Sequence, residues 1–478
     1  MQPIVLRDTN DARRFLLQGL WWQRVLPPSA ATVRAALEWA MEAASGGQPL
    51  PPPGFIADVG HVAFGEDWGG RRRDSSAVPN LPVNLLSTYE DHVLGKVYAD
   101  WTFSRASDAL RRYEGRNRAR GLAFFLNQFR ERSGFGGVVF SPGVIKAALE
   151  SPPEEVLVQG HDSLTREGAD DLLVEMYEDL IAAARRTAEV LGPEDVFMLE
   201  RGRALDPEGE RLALRQVLQA AAQLEATLPR TRVRPLAQRM EVPTRILDED
   251  TYPVGGFTSI STRGTIESLL HSQLAYMETD ERPDLFDIKF VRDELLYYSR
   301  DENQFLRRRR TFLLVLSPDL VQTRFKDPEL PYQRGVLLLA LLQVAVLKLS
   351  EWLSTDALSF RVLFTGEGDP EPLKAERELL AKVLDEPLAL GTASIERVPA
   401  GRVASLCTNW ARRSMCHCLV VGTRPEAVNA SDTVVTRLQV DGPRPALAGG
   451  DDPPEVVEGD DPLECWGRAL EQLLQRWV

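Results

Sequence analysis

The chain has 478 residues, of which 44% are hydrophobic and 26% are charged, so it has room for two or three domains. These fractions are those of an ordinary soluble globular protein. The formal net charge of −14 excludes nucleic acid as the main partner, because phosphate binding requires a basic face.

Residues 1–150 carry the patterns of a mixed, mainly helical region. Apolar residues recur at near-helical spacing in four segments, which predicts helices over 11–26, 31–44, 85–101 and 106–132. The segment 59–74 is rich in glycine and charge, and we interpret it, with its arginine run 71–73, as a solvated face. A phosphate or partner site at this run is the alternative.

Residues 151–245 are predicted to form a helical hairpin or bundle followed by a connection. Amphipathic helices are indicated over 170–191 and 207–228, and a proline follows each of them. Arginines then alternate with prolines up to Arg245, which is typical of an interdomain connection with a basic surface. A specific anion-binding role of this segment is the alternative.

Residues 246–478 alternate strand and helix patterns, which predicts an α/β fold with an open, mainly parallel, doubly wound sheet. At its centre, a strand over 311–316, a helix over 333–353 and a strand over 358–364 form a right-handed parallel unit. The helix is apolar nearly all round, but its apolar run is too short for a membrane span of about 20 residues. We therefore predict that it is buried and not inserted in a membrane. Further strands are predicted over 393–398, 415–421 and 433–440, and further helices over 371–384, 403–412 and 462–478.

Three flanking segments carry weaker patterns. A helix is predicted over 266–277, with Thr265 as its N-cap. A second amphipathic helix is predicted over 286–299. The segment 448–461 is acidic and rich in proline and glycine, so we expect it to be exposed and mobile.

Cys416, His417 and Cys418 form the densest cluster of soft ligands in the sequence. On a strand, the two cysteines face one side of the sheet and His417 faces the other. No second cysteine pair stands at zinc-ligand spacing, so we favour core cysteines over a metal site or a reactive thiol. Four cysteines in so long a chain do not form a disulfide framework, which favours a reducing cytoplasm.

The sequence lacks the P-loop, the G-x-G-x-x-G fingerprint, H-E-x-x-H and G-x-S-x-G. We therefore predict a protein that is not an enzyme and needs no cofactor. The stretch from Phe257 to Ser261 resembles the Ser-Thr-Ser strand of ADP-ribosyltransferases, although the other residues of that chemistry do not fall naturally here. An enzyme of this kind and a ligand-sensing module remain as alternatives.

The strands and the long helix of the C-terminal half resemble a von Willebrand factor A-type (vWA) domain. Two stretches, 248–270 and 294–310, resemble more specifically the vWA-type component of bacterial ternary systems, which also encode an AAA+ ATPase of the MoxR or FtsH kind. The resemblance covers roughly residues 195–440. It implies a vWA-like fold that binds proteins, in a conflict or stress-response system.

The sequence departs from the vWA pattern at the metal site. That site requires D-x-S-x-S after the first strand, because a hard divalent cation needs carboxylate and hydroxyl oxygens. Here only Ser317 and Asp319 offer oxygens at this place, and Gly422-Thr423-Arg424 replaces the usual aspartate after the later strand. We therefore predict a degenerate site without a bound metal.

In open parallel sheets, the residues that bind ligands lie beyond the carboxyl ends of the strands. We predict an exposed polar partner-binding surface there, formed by Ser317, Asp319, Thr365, Glu367, Thr423 and Arg424. The alternative is that these residues only terminate strands. Charge reversals at Asp319 and Arg424 should weaken capture of the ATPase and leave the melting temperature nearly unchanged. The predicted role is a cytoplasmic, non-enzymatic adaptor between that ATPase and other system proteins.

Overall fold

The computed structural model describes residues 2–65, 80–228, 259–262, 269–277, 283–299, 310–353, 358–366, 370–450 and 452–477. The chain divides into two compact units, Met1–Arg215 and Gln216–Val478. Five features predicted from the sequence lie outside the described residues, namely the arginine run 71–73, the connection 229–245, Phe257, Thr265 and Glu367.

The N-terminal unit is mainly helical, as the sequence predicts. Its helices, with α12 continuing into the second unit, are α1 (Thr9–Gly19), α2 (Ala30–Ser45), α3 (Pro53–Ala63), α4 (Val83–Tyr89), α5 (Gly95–Ala99), α6 (Trp101–Arg111), α7 (Arg116–Ser133), α8 (Pro142–Glu150), α9 (Pro153–Glu167), α10 (Asp171–Arg186), α11 (Pro193–Glu200) and α12 (Glu208–Thr227). A π-helical turn, Glu90–Leu94, joins α4 to α5. Two short strands, β1 (Ile4–Val5) and β2 (Val138–Val139), pair in parallel.

Side-chain caps determine where several of these helices begin. Asp8 accepts a hydrogen bond from the amide of Asn10 at 2.7 Å, and Asp170 accepts one from Leu172 at 3.0 Å. Ser29 and Thr32 form a capping box at the start of α2. These short polar side chains satisfy amides that have no partner within the helix.

The prediction of a solvated face over 59–74 is wrong for its first residues. Helix α3 begins at Pro53 and ends at Ala63, and residues 59–61 and 63 are buried. Gly60 allows α2 to approach closely, because a Cβ at this position would overlap the ring of Trp39. Glycines and prolines, which usually indicate a loop, here permit close helix packing.

The C-terminal unit contains, among its described residues, a seven-stranded sheet in the order β11-β10-β9-β8-β5-β6-β7. The strands are β5 (Arg310–Leu316), β6 (Leu358–Thr365), β7 (Ala393–Val398), β8 (Met415–Gly422), β9 (Thr433–Gln439), β10 (Ala446–Gly449) and β11 (Glu455–Val456). Strands β9, β8, β5, β6 and β7 pair in parallel, and β10 and β11 pair antiparallel. The predicted open, mainly parallel α/β sheet is confirmed.

Helices cover both faces of this sheet. They are α14 (Arg334–Trp352), α15 (Lys374–Val383), α16 (Asp385–Ala389), α17 (Val403–Ala411) and α18 (Pro462–Trp477). A short helix, α13 (Leu285–Val291), precedes the first strand of the sheet in the chain. On one face, Leu316 lines a small apolar cavity with Leu338 of α14, and Phe312 contacts Trp477 of α18. On the other face, Leu313 belongs to the same apolar cluster as residues of α17.

Helix α14 is, among the described helices, the one that is long and apolar enough to cross a membrane by length and composition. About two thirds of its most apolar window, 67%, is buried inside the protein. Residues 336–346 are all buried, so the helix packs as the crossover between β5 and β6. The predicted buried helix is confirmed.

Two of the weaker predictions fail within the described residues. The described part of 266–277 is a 3₁₀ helix, His271–Tyr276. The helix predicted over 286–299 ends at Val291, and Tyr297–Ser299 forms β4, which pairs antiparallel with β3 (Ser259–Ser261). Asp293 has a φ of 55°, which ends the helical path. The segment 448–461 is mostly exposed among its described residues, as predicted, and it contains the end of β10 and the whole of β11.

His417 belongs to a row of stacked rings across three strands. Its imidazole lies 5.1 Å from the ring of Phe312, and Phe312 lies 5.3 Å from Phe360. Neither ring nitrogen of His417 has a hydrogen-bond partner among the described residues. Burial lowers the pKa of His417 to about 4, and the charge of Arg310 acts in the same direction. The folded protein therefore holds this imidazole neutral.

The wild-type protein should lose stability in acid because of His417, and we expect His417→Phe to abolish this loss. Histidine in the unfolded chain titrates near about 6.5, so between that pH and about 4 the unfolded state binds more protons than the folded state. Wild-type stability should thus fall with decreasing pH, by at most about 1.4 kcal/mol per pH unit. Phenylalanine keeps the stack and does not titrate.

Urea unfolding of the C-terminal unit at pH 7 and pH 5 measures this difference. The free energy of unfolding of wild type, relative to that of His417→Phe, should be lower at pH 5 than at pH 7. His271→Phe, at an exposed position of the same unit, is the control. Equal pH slopes for wild type and His417→Phe would contradict the assignment.

Candidate functional site

The carboxyl ends of β5, β6 and β8 lie side by side at one edge of the sheet. From β5 the chain passes to β6 on one side, and from β8 it passes to β9 on the other. The strand order therefore reverses between β5 and β8, which is the place where open α/β sheets bind their ligands. We call residues 317–319, 365–366 and 422–424 the switch-point edge.

Asp319 joins the ends of β5 and β8. Its Oδ2 accepts hydrogen bonds from the amide and the hydroxyl of Thr423, at 2.8 and 2.6 Å, and from the amide of Arg424 at 3.0 Å. The amide of Ser317 donates to the carbonyl of Val421 at 2.9 Å. These contacts fix the two strand ends relative to each other.

The predicted site residues come together, but not all of them face solvent. Thr365 is 8% exposed and Thr423 is 6% exposed. The Thr365 hydroxyl donates to the carbonyl of Leu316 at 3.0 Å. The prediction of an exposed surface is therefore wrong for these two threonines, whose hydroxyls are used inside the edge. Ser317 and Asp319 are half-buried, and Arg424 is exposed.

The second oxygen of Asp319 lies against Gly422. A Cβ at Gly422 would come within 3.1 Å of Asp319 Oδ1 and within 3.2 Å of Ser317 Oγ. Oδ1 is buried and has no hydrogen-bond partner among the described residues. The expectation that charge reversal at Asp319 leaves the melting temperature nearly unchanged assumes an exposed side chain. Asp319 instead accepts three hydrogen bonds on Oδ2, which a basic side chain could not accept.

The cysteine cluster lies away from this edge, inside the core. Cys416 and Cys418 face α17 and pack with Cys407, while His417 faces the opposite side, as predicted for a strand. A hydrogen bond with the Cys418 thiol lowers the pKa of Cys407, and burial raises the pKa of Cys416 to about 12. Among the described residues, no three His, Cys, Asp or Glu side chains are arranged to hold a metal ion.

The Ser-Ile-Ser stretch lies outside the seven-stranded sheet. Ser259–Ser261 forms β3, and β4 is the partner with which it makes a separate two-stranded sheet in the described part of the chain. It is therefore not a strand of the sheet whose carboxyl ends form the switch-point edge.

A mainly parallel sheet with helices on both faces is the architecture of a doubly wound α/β domain, and the vWA fold is one member of this class. A family model described as the vWA domain found in the FtsH ternary systems matches residues 253–477. A second, described as the N-terminal helical region fused to the FtsH ternary system vWA domain, matches residues 10–170 and 173–239. The chain belongs to this family. No curated protein and no solved structure matches it significantly.

Membership of the family has a direct consequence for partners. A chain that combines the helical region with the vWA domain of these systems is a component of a ternary system. The other proteins of that system are therefore its partners.

Proposed function

We propose that this chain is a non-enzymatic adaptor that couples an AAA+ ATPase of the FtsH or MoxR kind to the other proteins of its ternary system. The observation that supports the proposal is the switch-point edge, where Asp319 fixes two strand ends and Arg424 faces solvent. A rigid scaffold that presents a few exposed side chains is well suited to binding a protein.

The hydroxyl groups of the edge support binding over catalysis. The hydroxyl of Thr365 donates to a backbone carbonyl, and that of Thr423 donates to Asp319. A nucleophilic hydroxyl needs a base that takes its proton during the reaction. Asp319 already accepts three hydrogen bonds on the oxygen that Thr423 contacts, so this oxygen is engaged in holding the loop after β8.

Arg424 is the charged group that we assign to the partner contact. Its amide is fixed by Asp319, and its guanidinium has no ion pair or hydrogen bond within the described part of the chain. A guanidinium presents several donors in one plane and recognises carboxylates in a bidentate manner. We therefore propose an acidic group on the ATPase as its counterpart.

We place the adaptor in the cytoplasm. All four cysteines are buried free thiols, which is consistent with a compartment that keeps thiols reduced. This location would also give the adaptor access to a cytoplasmic ATPase domain.

Arg424→Glu should weaken capture of the FtsH-type ATPase of the same system by about tenfold or more, because it places like charges opposite each other. The melting temperature should stay close to that of wild type, since exposed substitutions usually change stability by about 0.5 kcal/mol or less. Binding is measured by biolayer interferometry with the immobilised adaptor.

Arg413→Glu provides the matched control, because Arg413 is exposed at the opposite end, just before β8 begins. It should bind as wild type does. Wild-type affinity in Arg424→Glu would remove the switch-point edge from the partner surface.

A further inference from the structure

We propose that the switch-point edge binds its partner without a divalent cation, because Asp319 itself performs the organising role that a cation would have at this place. The inference rests on the proposed partner-binding role of the edge and concerns how that role is controlled. It follows from how the oxygens at the edge are used.

A divalent cation such as Mg²⁺ requires about six oxygen ligands that converge on one point. Within the described part of the edge, side-chain oxygens come from Ser317, Asp319, Thr365 and Thr423. The hydroxyl of Thr365 is buried and donates to Leu316, and the hydroxyl of Thr423 donates to Asp319. Both threonine side chains are more than nine-tenths buried, so neither presents its oxygen to a cation at the surface of the edge.

The carboxylate of Asp319 is the strongest ligand at the edge, and one of its two oxygens, Oδ2, already accepts hydrogen bonds. Two amide hydrogens and one hydroxyl hydrogen point at Oδ2, so a cation there would face the positive ends of three dipoles. Only Oδ1 and the hydroxyl of Ser317 remain, both next to Gly422. These described residues do not fit a divalent cation.

Asp319 instead organises the edge from within. Its carboxylate binds successive amides after β8, in the way that a carboxylate caps exposed amides at a helix start. The backbone of Arg424 is thereby fixed, and its side chain starts from a defined position. Asp319 is thus a positioning residue that acts through Thr423 and Arg424.

Gly422 contributes to this arrangement by its small size. A Cβ there would be in tight contact with both Asp319 Oδ1 and Ser317 Oγ, so a larger residue would displace the carboxylate. The loop after β5 can therefore lie directly against the end of β8. The edge is assembled by the chain alone, and its affinity for the partner does not depend on cation concentration.

Hydrogen exchange tests the role of Asp319 directly. In wild type, the amides of Thr423 and Arg424 should be equally protected in EDTA and in millimolar Mg²⁺ or Mn²⁺. Asp319→Ala should speed their exchange by at least about tenfold, because it removes their acceptor. Asp319→Asn retains a side-chain oxygen and should restore much of the protection. Glu426→Ala, which removes an exposed carboxylate two residues beyond Arg424, should change nothing.

Capture of the nucleotide-free FtsH-type ATPase provides the second measurement. Wild type should bind equally well in EDTA and in Mg²⁺. Asp319→Ala should bind about tenfold more weakly, and Asp319→Asn should bind nearly as well as wild type. A merely structural role would change the melting temperature of both variants but would not separate them in binding.

Three results would overturn the inference. They are a one-to-one calorimetric isotherm for Mn²⁺ that Asp319→Ala abolishes, protection of the two amides only when a cation is present, and capture that EDTA abolishes in wild type. The wild-type measurements decide the matter even if Asp319→Ala fails to fold. Unchanged capture by Arg424→Glu would contradict the proposed function separately, because the exchange and calorimetry results do not depend on any partner.

Discussion

Leu342→Asp is expected to unfold the C-terminal unit. Leu342 is 0% exposed on α14, in the middle of a run of buried residues. A carboxylate there would lose its hydration inside the core, which costs several kcal/mol even after relaxation. We expect a loss above about 4 kcal/mol, which is a large share of the roughly 5–15 kcal/mol of a typical domain.

Leu347→Asp is the matched control, because Leu347 lies on the same helix but is 46% exposed. Its cost should be about 1 kcal/mol or less. Leu342→Ala should fall between the two, at about 2–5 kcal/mol, since it leaves a cavity but buries no charge. Urea unfolding followed by near-ultraviolet circular dichroism measures all three. If Leu342→Asp unfolded at the same urea concentration as wild type, α14 would not be central to the unit.

The centre of the sheet could be predicted because burial on both faces leaves a strong signal. Strands β5 and β8 are nearly continuous apolar runs, β6 is buried at six of its eight residues, and α14 has no polar face. The pairing of β5 with β6 could also be predicted, because two such strands separated by a helix form a parallel unit. In these elements the local pattern and the tertiary environment agree.

Peripheral segments were harder because their structure depends on distant contacts. Leu295 and Tyr297 are buried against Leu269, in a small cluster separate from the main core. Their spacing fits a strand, but Phe286 and Phe290 upstream extend the helical pattern across the turn at Asp293. Periodicity alone cannot locate a turn made by one residue with positive φ.

The location of the site could be predicted, but its hydrogen bonds could not. In any parallel sheet with this strand order, residues 317–319 and 422–424 come together, because they follow the carboxyl ends of neighbouring strands. The bond from Thr423 to Asp319 joins residues 104 positions apart, and the sequence gives no sign of which polar groups point inwards. This is why Asp319 was assigned to a surface when it is mainly an internal acceptor.

The buried polar centre of the N-terminal unit was missed entirely. Asp58 on α3 is 0% exposed, and its Oδ1 accepts from the amides of Arg24 and Val25 at 2.6 and 2.7 Å. Its Oδ2 accepts from the hydroxyl of Tyr89 at 2.9 Å. A single aspartate in an apolar stretch gives no indication of three partners elsewhere in the chain.

Asp58→Ala should strongly destabilise the N-terminal unit. It leaves three buried donors without an acceptor, and each unsatisfied group costs about 1–3 kcal/mol. We expect a loss of at least about 3 kcal/mol. Tyr89→Phe removes one donor and leaves the carboxylate in place, so it should cost clearly less. Pulsed hydrogen exchange at increasing urea follows the peptides of α3 separately from the C-terminal unit.

Asp58→Asn should in addition change how the N-terminal unit responds to pH. Burial raises the pKa of Asp58 to about 7, and the hydrogen bonds from Val25, Arg24 and Tyr89 only partly oppose this. An unfolded aspartate titrates near about 3.9, so between that pH and about 7 the folded state binds more protons. Wild-type stability should therefore fall as pH rises through this window, by at most about 1.4 kcal/mol per unit. Asparagine does not ionise, so the variant should lose this slope. A wild-type α3 that is no more stable at pH 5 than at pH 7.5 would show that Asp58 is ionised throughout.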